Sequence, residues 1–289
     1  MIRFDDQVAI VTGAAVGLGR AHAHLLAARG AHVVVNDLDQ KAADQVAAEI
    51  TQHGGSAFGI GASVADPSDV ARVIEATLNR FGRIDALVNN AGILRDKSFK
   101  RMADEDFELV LRVHLFGTYY MAKAVWPLML KQKFGRVVLT ASSSGLATAF
   151  GQANYGAAKA AMIGLMNSLK NEGKRDNVLV NAISPVAATQ MTEGLLGERL
   201  AEISFPEHVS PAVAFLCSKD CAETGQIIAA GAGHFARVQM MKSPGVVIDP
   251  DRAATIEEFA AAKGDILSLA GAAEYVGTFD PATKERLGL

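Results

Sequence analysis

Cysteine is nearly absent. Cys217 and Cys221 are the two in 289 residues, which argues against a disulfide-stapled scaffold or a thiolate metal centre. They stand at i, i+4 spacing in "LCSKDCAE", so both are expected on one helix face as core or surface thiols of a reduced chain. No run of about 18 apolar residues occurs, so no segment is expected to span a bilayer. There is also no strong excess of either charge: the formal net charge is -3, which points away from nucleic acid and from membrane surfaces as partners. The first residues, "MIRFDDQVAIVTG", have one basic residue and then a strand-like run rather than a signal-peptide pattern. A cytoplasmic location is expected. What is present is ordinary for a globular chain, half apolar and one fifth charged.

Short β-branched runs alternate with longer Ala-rich segments. "VAIVTG" precedes a helix expected near 17 to 30, and "HVVVND" one near 39 to 53. "SAFGIG", "IDALVNNAG", "GRVVLTAS", "NVLVNAISP" and "GQIIAAGAG" supply five more strands, and a long helical stretch is expected from about 104 to 131. The strands are continuous apolar runs, as required where helices cover both faces of a parallel sheet. The expected fold is α/β, a doubly wound, mostly parallel, seven-stranded sheet over residues 1–232. Residues 233–289 break the alternation and form a C-terminal extension expected to pack on this core. In the extension, "ATIEEFAAAKGDILSLA" reads as a helix whose apolar stripe (Ile256, Phe259, Ala260, Ile266, Leu267) should be buried.

Gly13, Gly17 and Gly19 lie between the first strand and the first helix. Glycine there lets the backbone turn sharply and approach a pyrophosphate, which the free N–H groups of the helix start then face. The strand–glycine–helix context makes this a Rossmann-type nucleotide loop, with Val16 and Leu18 beside the glycines. Asp37 ends the second strand, where a carboxylate can accept from the adenosine ribose hydroxyls and repel a 2′-phosphate. Leu38, Asp39 and Gln40 bring no cation, so NAD is expected over NADP. The competing reading makes Asp37 the N-cap of the next helix.

Ser142 ends the fifth strand, and Tyr155 and Lys159 fall one helical turn apart on one face. A lysine ammonium beside a phenol favours phenolate and makes the tyrosine a general acid or base near neutral pH. A serine hydroxyl can polarise a carbonyl oxygen. Tyr119 and Lys123 repeat the Tyr-x-x-x-Lys spacing inside a long helix, with Asp106 where the serine would be. That second pair reads as structural.

"TGAAVGLG", "NNAG" at 89–92, a serine 13 before the tyrosine, and "YGAAK" occur in this order. Over residues 5 to about 232 the chain resembles the short-chain dehydrogenase/reductase family. The resemblance implies that Tyr155 carries the proton, Ser142 binds the substrate oxygen, and Lys159 holds the nicotinamide ribose and lowers the tyrosine pKa. It implies further that Asn90, Ala91 and Gly92 line the cofactor, with Ser63 and Val64 at the adenine, Pro185 nearby and Thr189 on the carboxamide. Three positions depart from the family pattern: His114 stands for an asparagine that holds a relay water, Ser63-Val64 for Asp-Val, and Pro185-Val186 for Pro-Gly. His114 is either a member of the relay or a satisfied core histidine.

"VVVNDL", "NNAGILRDKSF", "DEDFELVLRVHL" and "GAGHFARVQ" are similar to the (3R)-hydroxyacyl-CoA dehydrogenase unit of the peroxisomal multifunctional β-oxidation enzyme. This implies an NAD-dependent oxidoreductase of 3-hydroxyacyl-CoA, assembled as a homodimer or homotetramer. The terminal "RLGL" is no peroxisomal address, so a stand-alone relative is expected. Arg95, Lys97, Lys100 and Arg101 form either a solvated loop or a contact for CoA phosphates. Residues 186 to 205 suit a lid over an acyl chain. The alternatives are the same chemistry on a steroid, cyclic alcohol or carrier-protein thioester, and an NAD-binding sensor without turnover.

Overall fold

The computed structural model describes residues 1–147, 150–194, 196–278 and 280–288. The chain divides into two compact units, Met1–Arg237 and Val238–Leu289. In the first, strands β1 (Val8–Thr12), β2 (His32–Asp37), β3 (Ser56–Gly61) and β4 (Ala86–Asn89) alternate with helices α1 (Gly17–Ala28), α2 (Gln40–Gln52) and α3 (Pro67–Phe81). Then come α4 (Asp104–Leu111), α5 (Gly117–Gln132), β5 (Gly135–Thr140), the short α6 (Ser143–Leu146), α7 (Ala153–Gly173) and β6 (Val178–Pro185). The unit ends with α8 (Glu198–Ile203), α9 (Ser210–Cys217), β7 (Ile227–Gly231) and β8 (His234–Val238), whose last residue crosses the unit boundary.

The strand order is β3-β2-β1-β4-β5-β6-β7-β8. The first seven are parallel, as the apolar runs predict, with Val8 beside His32 and Ala9 beside Ala86. β1 and β5 are buried at every position. Chain direction across the sheet reverses between β1 and β4, the position where doubly wound sheets open a crevice for ligands. Helices α1, α2 and α9 pack together on one side and α3, α5, α4 and α7 on the other.

Local sequence explains most boundaries. Asp39 caps α2 by accepting from the N–H groups of Lys41 (2.8 Å) and Ala42 (3.2 Å). Asp66 caps α3, Pro67 occupies its first turn, and Gly82 ends it in the left-handed region at φ 74°.

The structure adds four differences from expectation. An eighth strand joins the sheet, because Ala232 (φ 48°) and Gly233 (φ 78°) make a two-residue hairpin turn that sends β8 back along β7. This carries the first unit past residue 232. The helical stretch from 104 is interrupted by a π-helical turn, Arg112–Phe116. Cys217 and Cys221 do not share a helix, since α9 stops at Cys217; both are free and buried, and burial pushes their thiols up to about 12 and about 11.

The fourth lies in the second unit. There β9 (Met241–Lys242) pairs antiparallel with β10 (Ala273–Glu274), and α10 (Ile256–Leu267) and α11 (Pro281–Arg286) complete it. Helix α10 starts on a capping box between Thr255 and Glu258. Its expected apolar stripe is open: Ile256 is 83% exposed and Leu267 67%. Periodicity identified an amphipathic helix, but so short a unit buries little of its own apolar surface.

Candidate active site

The glycine loop is sterically fixed. Gly13 (φ 61°) and Gly17 (φ 55°) lie in the left-handed region. A Cβ on Gly19 would fall 2.2 Å from the Gly13 carbonyl oxygen and 2.6 Å from Asn90 Nδ2. Asn90 needs that space, because its Nδ2 donates to the carbonyls of Thr12 (3.0 Å) and Gly13 (3.1 Å). Thr12 Oγ1 accepts from the N–H groups of Asn90 and Ala91, each at 3.0 Å. These bonds lock the ends of β1 and β4 together across the switch point.

Helix α1 begins at Gly17 with no side-chain cap and no acid in its first turn. Its free N–H groups and positive dipole end suit an anion. Asp37 accepts from the N–H of Ala15 (3.0 Å) and of Leu38 (2.8 Å). The α2 cap is Asp39 rather than Asp37, which leaves Asp37 at the cavity wall.

One cavity of about 540 Å³ runs along these strand ends. Its wall includes Gly13, Val16, Gly17, Leu18, Asp37, Ser63, Val64, Asn90, Ala91 and Gly92, and further along His114, Tyr155, Lys159, Pro185 and Thr189. Glycines where a Cβ would clash, an uncapped helix start and an acid at the β2 end fit a dinucleotide. Gly19 and Ser142 lie just outside the wall: Gly19 beneath the loop, and Ser142 at the start of α6, where its Oγ accepts from the N–H of Ser144 (3.2 Å).

Helix α7 delivers Tyr155 and Lys159 to the same end of the cavity. Lys159 is buried, its Nζ donates to the Thr140 carbonyl at 2.6 Å, and burial pushes its pKa down to about 7. Burial likewise raises Tyr155, opposed by the Ser142 hydroxyl and reinforced by the charge of Asp96. The net direction for Tyr155 is upward and is set by burial, against the depression that the resemblance implies. Desolvation drives both groups towards their neutral forms, and the Lys159 Nζ sits 5.5 Å from the ring centre of Tyr155. Within the protein, Ser142 is the group that favours phenolate.

His114 lies on the π-helical turn, with its ring edge-on to Tyr155 at 5.2 Å between centres. Its Nε2 is 2.8 Å from the carbonyl oxygen of Ile93 and 3.0 Å from the Ile93 nitrogen, and its buried Nδ1 has no partner. Burial, then the charge of Lys159, push its pKa down to about 3. The imidazole is neutral at physiological pH. Nε2 meets both polar groups of the Ile93 backbone, accepting from its N–H or donating to its carbonyl, and Nδ1 is left free to bond a further group rather than to titrate.

Tyr119 and Lys123 form a hydrogen bond of 3.0 Å on the exposed side of α5. Here the tyrosine raises the lysine pKa in solvent, the opposite of the buried pair. Sequence reasoning missed Asn36 on the cavity wall, whereas Gln190 and Met191, also on the wall, fall in the 186–205 segment expected to cover an acyl chain. It also missed the support beneath Tyr155: Asn154 Oδ1 accepts from the Tyr155 N–H at 2.7 Å, and Asn154 Nδ2 donates to the Arg95 carbonyl at 3.0 Å. No short motif marks such long-range bonds.

A family model described as short chain dehydrogenase matches residues 7–199. The chain is 46% identical over 267 residues to peroxisomal multifunctional enzyme type 2 of Drosophila melanogaster, covering 89% of this chain and 44% of that protein. It is 44% identical over 236 residues to a 3-oxoacyl-[acyl-carrier-protein] reductase of Synechocystis, covering 78% of this chain and 96% of that protein. The solved full-length Drosophila multifunctional enzyme superposes with a TM-score of 0.85 at 39% identity, covering 99% of this chain and 50% of that chain. This chain thus spans half or less of the multifunctional relative. By family match, sequence identity and fold, the chain belongs to the short-chain dehydrogenases, oxidoreductases that use a nicotinamide cofactor.

Proposed function

We propose that the protein interconverts a (3R)-3-hydroxyacyl-CoA and the corresponding 3-oxoacyl-CoA with NAD. The observation that carries the reading is that Tyr155 and Lys159, with the Ser142 hydroxyl acting on Tyr155, share the wall of one cavity with the glycine loop and Asp37. When bound, the nicotinamide supplies the hydride acceptor or donor. Tyr155 takes the hydroxyl proton in oxidation and returns it in reduction. Ser142 hydrogen-bonds the same oxygen and favours the tyrosinate. Lys159, fixed by the Thr140 carbonyl, is poised near pH 7 to pass the proton onward or to hold the ribose. His114 orients a water through its unpartnered Nδ1. Thr189, which starts a short helical turn through a capping box with Thr192, meets the carboxamide.

NAD rather than NADP follows from Asp37. A 2′-phosphate at about 4 Å from that carboxylate meets a repulsion of about 4 kcal/mol per unit charge at an effective dielectric near 20. Asp37 has no ion-pair partner among the described residues to offset it.

The acyl thioester is supported by the names of the relatives. The multifunctional-enzyme relatives favour CoA, and the Synechocystis reductase favours an acyl-carrier-protein thioester as the second reading. A homodimer or homotetramer in a reducing compartment accompanies both, with exposed Phe116 and Tyr119 on and beside α5 offering apolar surface and the thiols free. Among the described residues no helix is long and apolar enough to cross a membrane. The test is absorbance of reduced nicotinamide with a panel of 3-hydroxyacyl-CoAs, cyclic alcohols and carrier-protein thioesters. Turnover confined to the cyclic alcohols would overturn the thioester reading.

A further inference from the structure

Two loops beside the cavity are joined by hydrogen bonds. Residues 94–103 precede α4, and the described residues 150–152 precede α7. The Lys97 N–H donates to the Gly151 carbonyl (2.9 Å), Gln152 Nε2 donates to Asp96 (2.7 Å), and Gln152 Oε1 accepts from Ser144 (2.8 Å). Buried Asn154, next to Tyr155, anchors the first loop at the Arg95 carbonyl. The rim is therefore fixed relative to the catalytic tyrosine.

This rim carries surface that the fold itself does not use. Phe150 is 95% exposed and Phe99 81%, the two most exposed phenylalanines among the described residues. Between and beside them stand Lys97, Lys100 and Arg101, exposed and without an ion-pair carboxylate among the described residues. Arg95 alone faces an acid, Asp106 at 3.8 Å, and Asp96 is engaged by Gln152. Unburied aromatic faces suit a flat ring, and unpaired Lys and Arg suit phosphate oxygens. The loops that carry them run on from Ile93 and into Tyr155, both on the cavity wall, so the combination suits a ligand with both groups outside and its reacting end inside.

We propose that this rim holds the phosphorylated adenine-nucleotide head of coenzyme A, with the pantetheine arm entering the cavity. The inference rests on the acyl-thioester reading and chooses CoA over a carrier protein. An acidic carrier would have to cover Asp104, Glu105 and Asp106 in the first turn of α4, directly after the cations, and meet repulsion there.

The experiment compares a 3-oxoacyl-CoA with the N-acetylcysteamine thioester of the same acyl group, in the parent and in Lys100→Glu/Arg101→Glu and Phe99→Ser/Phe150→Ser. The KM for acyl-CoA should rise by roughly tenfold or more in each pair, with KM for the cysteamine thioester and for the nicotinamide unchanged. Adenosine 3′,5′-bisphosphate should compete with acyl-CoA in the parent and about tenfold more weakly in the variants. Equal shifts for both thioesters, or a change in assembly by light scattering without a change in CoA affinity, would each overturn it. If the parent turns over neither thioester, the proposed function fails. Titration of CoA into parent and charge-reversed protein by calorimetry still decides the rim: weaker binding by the variant supports the site, and equal or absent binding overturns it.

Discussion

At the scale of single residues, the chain contains its own control. Tyr155 and Tyr119 each precede a lysine by four positions, yet in one pair the lysine is buried and the tyrosine half-buried at strand ends, while the other pair lies in solvent. Tyr155→Phe keeps the ring and removes the proton carrier, so kcat should fall by about 10² to 10⁴ with the nicotinamide affinity little changed. Tyr119→Phe should be nearly silent in the same assay. A Tyr155→Phe loss below tenfold would remove Tyr155 from its role. Asp37 carries the second prediction. The parent should prefer NAD over NADP by roughly tenfold or more in kcat/KM, and Asp37→Ala with Leu38→Arg should admit NADP. Equal kcat/KM for both cofactors in the parent sinks this assignment.

At the scale of elements, what was legible depended on how local the signal is. The inner parallel strands, β1, β4, β5 and β6, show as apolar runs because both faces are buried, and the glycine loop shows because backbone geometry forbids a Cβ at Gly19. β8 escaped because "HFARV" is a short strand with three exposed residues, fixed by a hairpin turn rather than by burial. The π-helical turn escaped because its cause is not a sequence period. Gly92 packs against His114 so closely that a Cβ would approach Cε1 to 2.3 Å. The joint between α1 and α9 escaped too. There fully buried His22 meets Ser210 Oγ at 2.8 Å, and burial pushes its pKa down to about 3 from the ordinary 6.5.

That joint predicts an acid response with a definite sign. Folded, His22 takes a proton near pH 3; unfolded, near 6.5. The unfolded chain binds more protons between those values, so this group's contribution is complete above pH 6.5 and is lost as pH falls towards 3. The slope approaches about 1.4 kcal/mol per pH unit for one such group. His22→Gln should be less stable than the parent at pH 7, but its stability should fall less steeply between pH 6 and 4. Urea unfolding at several pH values measures this. Parallel slopes for parent and variant would mean that His22 does not sense acid.

At the scale of the whole molecule, the remaining question is what the second unit does. It has its own small ladder, β9 with β10, its own capped helix α10, and an ion pair of Lys242 with Asp280, whose partners also bond Thr283. The first unit has its own core cluster around the sheet, from Phe4 to Ala230. The first unit should therefore fold without the second, and a chain ending at Val238, which keeps β8 intact, should retain the sheet and bind nicotinamide as the parent does. The open side of α10, with Ile256, Phe259 and Leu267 exposed, is too apolar to be a simple solvent face. Removing residues 239–289 should then show itself in one of two ways: a higher KM for acyl-CoA with the nicotinamide KM unchanged, or a smaller assembly by light scattering. If the truncated protein is folded by circular dichroism and neither quantity moves, the unit is a passive extension. If it does not fold, the division into independent units fails instead, so the two failures are told apart by the same sample.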